Sequence, residues 1–140
     1  MEEFHSTFAI KGGIYIKYIW LLLTLVPLPF LVFFVDIVLV DRGIELFYVV
    51  AIVAIGLIIV IGGLSSRVFI LHVVIANLLT IILSLFLAVS FLVPPNPSWF
   101  NPFTMEMVVL LTGIASFIAQ LIVRSIFRAS RRQSRVTEKQ

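Results

Sequence analysis

Residues Val68–Val93 read VFILHVVIANLLTIILSLFLAVSFLV, 26 positions without one formal charge. At ~1.5 Å per residue this stretch is about 39 Å long as a helix, against a hydrocarbon core of ~30 Å. It is therefore predicted to cross a bilayer with length left for tilt. Its few polar residues fall in a row. His72, Thr80 and Ser84 recur at four-residue spacing with Ala76 and Ala88, and Asn77 stands beside them. One face is small and polar while the rest is Ile, Leu, Val and Phe, so that face is expected to meet protein and not lipid.

Working outward, the whole chain has the same character. Of its 140 residues 61% are hydrophobic and only 12% charged, too much apolar surface for so small a water-soluble interior. There is no cysteine, which removes disulfides, thiolate metal sites and dithiol redox chemistry. The formal net charge of +3 gathers at one end, where basic residues beside a span act as orientation signals and anionic-lipid contacts; no nucleic-acid partner is expected.

Three further spans follow from the same reading. The first covers 14–36 and carries Pro27 and Pro29, which deprive the carbonyls of Leu23 and Leu25 of their helical donors. A hinge is predicted there, with neighbouring helices or Thr24 satisfying the freed backbone. Asp36 to Glu45 reads as a solvated turn around Gly43. The second span, 45–64, is nearly pure Ala, Ile, Val and Leu, and Gly62 to Arg67 reads as a tight turn. The fourth, 104–127, begins with Thr104 as its N-cap and Glu106 in its first turn. A basic tail over 128–140 follows. Between the third and fourth spans, Pro94, Pro95, Pro97 and Pro102 stiffen a loop with Trp99, Phe100 and Phe103, aromatic residues suited to the headgroup level.

The expected fold is thus an all-α integral membrane protein, an up-down bundle of four transmembrane helices forming one domain. Nine of the ten basic residues fall before the first span, early in it, in the second turn, or at the end of the last span and in the tail. The positive-inside rule then places both termini in the cytoplasm of a multi-pass cell-membrane protein, with Asp36, Asp41, Glu45 and Glu106 outside. Such a bias argues against a dual-topology antiparallel dimer, which needs nearly balanced charge.

The fourth span has its own polar row, Thr112, Ser116, Gln120 and Arg124. Laid antiparallel against the third, it brings His72 level with Arg124, Ala76 and Asn77 with Gln120, Thr80 with Ser116, and Ser84 with Thr112. An interhelical hydrogen-bond seam is predicted, at about 0.6 kcal/mol per contact. The other reading of the seam is a polar pathway.

No nucleophile stands beside a base, and no metal-ligand spacing or pair of intramembrane carboxylates is visible. His72 alone lacks the second axial ligand of a bis-histidine haem site. Neither catalysis nor a cofactor is expected. The chain reads as a non-catalytic subunit or assembly partner of a larger membrane complex, bound to other membrane subunits or to itself, with anionic lipid at its tail. The alternative is a small homo-oligomeric channel or transporter that uses the polar seam.

Overall fold

The structure, a computed structural model, describes residues 15–137, with side chains described to 134. The tail before Tyr15 and the last residues of the basic tail lie outside the described residues. The chain is helical: α1 (Tyr15–Thr24), α2 (Leu28–Asp41), α3 (Phe47–Ser65), α4 (Ile70–Phe91) and α5 (Met105–Thr137). Helices α3, α4 and α5 are each long and apolar enough to cross a membrane; α1 and α2, bent by 49° at their break, together make one further broken span or a re-entrant loop. Helices are what this composition requires, because lipid offers no partner for a backbone N–H or C=O. The fold is that of a helical membrane protein.

Several ends differ from their sequence expectation. Helix α2 does not stop at Asp36, which is buried within it, but runs to Asp41. There Gly43, at φ 73°, closes a Schellman cap in which Ile44 N–H donates to the Leu39 carbonyl and Gly43 N–H to that of Val40, both at 2.9 Å. Gly62 and Gly63 are helical, so the turn into α4 begins at Ser66. Helix α5 continues to Thr137, ten residues past Phe127, and at ~1.5 Å per residue its 33 residues reach about 50 Å. Its start is as expected, with Met107 N–H donating to Thr104 Oγ1 at 3.3 Å.

Helix α5 packs most extensively on α3 and then on α4, and α2 lies against α3, α4 and α5. Small residues set the approach, since between helices in lipid it is close van der Waals packing that holds. A Cβ on Gly62 would stand 2.8 Å from the Cβ of Val123, and one on Gly113 would stand 2.8 Å from Cγ1 of Ile81. Two apolar cores result. Trp20, Ile61, Val68, Val73 and Ala76 form one; Phe30, Ala88, Leu92 and Val109 form the other, extended by Phe33 and Phe100.

Candidate functional site

Between the two cores the first apolar run is broken. Pro27 and Pro29 cannot donate, Val26 N–H falls back on the Leu23 carbonyl at 3.3 Å, and Leu28 N–H turns to the Val26 carbonyl at 2.7 Å. The carbonyl of Thr24 thereby loses its helical donor. Thr80 Oγ1 on α4 meets it at 2.6 Å, closer than the 2.9 Å to its own helix's Ala76 carbonyl, so the one hydroxyl proton is shared in favour of the break. The hydroxyl of Thr24 itself does not serve the break; it donates back to the Trp20 carbonyl at 2.8 Å.

Beside this contact lies a cavity of about 20 Å³, room for one water. Asn77, Thr80, Ser116 and Gln120 line it together with Thr24 and Pro29 and with apolar Val26, Leu28, Ile61 and Ile81, so four residues of the expected seam and one hinge proline share one small space. Asn77 Nδ2 donates to the Val73 carbonyl at 2.9 Å, while Gln120 Oε1 is buried and makes no hydrogen bond to protein.

Arg124 is buried one turn along α5 from Gln120. Its guanidinium donates through Nη1 to the carbonyl of Ser65 and through Nη2 to that of Val68 at 2.8 Å. Ser65 is the last residue of α3, where orphan carbonyls and the negative end of the helix dipole favour a cation. The other terminal carbonyls are also satisfied: Ser65 Oγ donates to Gly62, Ser66 Oγ to Gly63 and Arg67 N–H to Leu64. Arg124 is thus a clamp of α5 on the α3–α4 turn.

The residue-to-residue zipper expected across α4 and α5 is replaced by these bonds to backbone. Of the eight seam residues, Asn77, Thr80, Ser84, Gln120 and Arg124 are buried and Thr112 and Ser116 half-buried, but His72 is exposed. None bonds its expected counterpart. Back-bonding to a carbonyl one turn earlier holds Asn77 in place and takes part of Thr80's proton without ordering a second helix, and the break offers Thr80 a better acceptor. Ser84 Oγ is buried without a partner, and His72 packs its ring on Phe69 at 6.3 Å instead of meeting Arg124. Ala115 and Ala119, small residues one turn apart on α5, are exposed and half-buried, whereas Gly113 is the point of close approach. Sequence reasoning missed the acceptors of Arg124, because main-chain carbonyls leave no mark in side-chain patterns. The role of Ser65 was signalled only by its place at the end of an apolar run.

No protein-family model matches the chain, and no curated protein or solved structure is significantly similar to it.

Proposed function

We propose that this chain is a non-catalytic subunit or assembly partner of a larger membrane complex. It would cross a cell membrane four times, α1 and α2 serving as one broken span, with both termini cytoplasmic. The observation that carries the reading is how the interior polar groups are used. Thr80 and Arg124 donate to backbone carbonyls of other helices and turns, Asn77 to one of its own helix, and the cavity beside Asn77 and Thr80 is about 20 Å³, a size suited to one water and not to a conduit. Meanwhile α3 presents Ile52, Val53, Ile55, Ile59 and Val60 outward, a face open to lipid or to another subunit.

One observation favours a second reading, a small homo-oligomeric channel or transporter. Gln120 Oε1 is buried and unpartnered beside a helix break, and breaks of this kind are where transporters place their sites. Purification of the tagged chain in a mild detergent separates the two. A stoichiometric complex with unrelated membrane subunits is expected; a clean monomer would overturn the proposal. A homo-oligomer whose solute flux in liposomes is lost in Asn77→Leu or Gln120→Leu would replace it with the second reading.

A further inference from the structure

A groove of about 490 Å³ runs between α1 and α4 on the outer surface of the bundle. The two helices run parallel there, because the Thr24 carbonyl meets Thr80 and, one turn earlier, Trp20 packs with Val73 and Ala76. Continuing that register back brings Lys17 level with the start of α4, so Lys17, Tyr18 and His72 gather at one end of the groove. The remainder is apolar, formed by Leu21, Leu25, Ile75 and Leu79 with the buried ring of Trp20.

From these features we infer that the groove is a binding site for one anionic phospholipid, its headgroup at Lys17 and His72 and an acyl chain along Leu21, Ile75 and Leu79. Three observations select this occupant. Phe69 to Leu79 covers about 15 Å of helix, the depth of one leaflet. Among the described residues the lining holds a lysine, a histidine and a tyrosine but no acid, which complements a phosphate. Large side chains line the walls and Ala76 is the small exception, a lining that suits an acyl chain more than the close approach of a helix backbone, for which interfaces are enriched in small residues. The inference rests on the bundle lying in a membrane and not on its being an accessory subunit.

Trp20 is the reporter. The chain has two tryptophans, so in Trp99→Phe the emission comes from Trp20 alone. Reconstituted into vesicles of mixed phosphatidylglycerol and phosphatidylcholine, with one or the other brominated on its acyl chain, this variant reports which lipid occupies the groove. Brominated phosphatidylglycerol is expected to be preferred about fivefold, the ratio one basic residue gives at a membrane surface. The preference should vanish in Lys17→Gln/His72→Gln, reverse in Lys17→Glu, and persist in Arg131→Gln/Arg132→Gln, which changes the exposed far end of α5. Equal quenching by both lipids, or a preference that survives loss of Lys17 and His72, would overturn the inference. Trp20 left unquenched by either lipid would also overturn it, in favour of a protein segment in the groove.

Discussion

Thr80 on α4 donates its hydroxyl to the main-chain carbonyl of Thr24 at 2.6 Å, and that carbonyl is one of those which the break between α1 and α2 leaves without a helical donor. A defect in one helix is repaired by a side chain of another. Removing the hydroxyl while keeping the shape, as in Thr80→Val, strands a buried acceptor and should destabilise the bundle by about 1–2 kcal/mol. Thr80→Ser keeps the donor and should lose less than half as much. Reversible unfolding in mixed micelles, followed by helix content, checks both.

Arg124 should matter more. Its two hydrogen bonds are charge-assisted and reach the end of α3 and the turn beyond it, so Arg124→Gln is expected to cost about 1.5–3 kcal/mol. Arg124→Lys should recover only part, because a point ammonium does not reproduce a fork that spans two carbonyls. The same unfolding measurement, with added protease cutting at the α3–α4 turn, should show the turn opening first.

The glycines of α3 differ in what surrounds them. An added Cβ at Gly62 meets Val123 at 2.8 Å, and the Gln120 backbone is close behind at 3.1 Å, so Gly62→Ala should wedge α3 from α5 at a cost of about 1–3 kcal/mol. Gly56 has nothing within 4 Å, and Gly56→Ala should be neutral or stabilising by about 0.4–1 kcal/mol. A comparison of the two melting curves decides.

The proposed topology has its own measurement. Ser98 and Ser130 are both exposed in the structure, at the α4–α5 loop and the far part of α5. In intact cells Ser98→Cys should react with an impermeant maleimide, and Ser130→Cys should react only after permeabilisation. Labelling of Ser130→Cys from outside would invert the orientation.

The three long apolar helices and the cap at Thr104 were legible because hydropathy and capping are local. The partners of the polar residues were not. A four-residue row precesses by about 40° per step on a 3.6-residue helix, so His72 and Ser84 point about 120° apart although the row looks straight in sequence. This is why Ser84 is buried in the bundle while His72 faces outward beside the α1–α4 groove. Asp36 read as a turn because it is charged, but α2 ends only where Gly43 allows a left-handed backbone. Hydropathy likewise marks where α5 ceases to be apolar, and nothing after Phe127 stops the helix.

That uninterrupted α5 makes the basic segment a rod and not a tether. Arg128, Arg131 and Arg132 are carried at helical spacing on the same shaft whose Arg124 grips the α3–α4 turn. Their positions relative to the bundle are therefore set in advance, and a partner or a headgroup layer that meets them needs to order little chain. A push or pull on that shaft would bear on the Ser65 and Val68 carbonyls through Arg124, which ties the exposed end of α5 mechanically to the turn that joins α3 to α4.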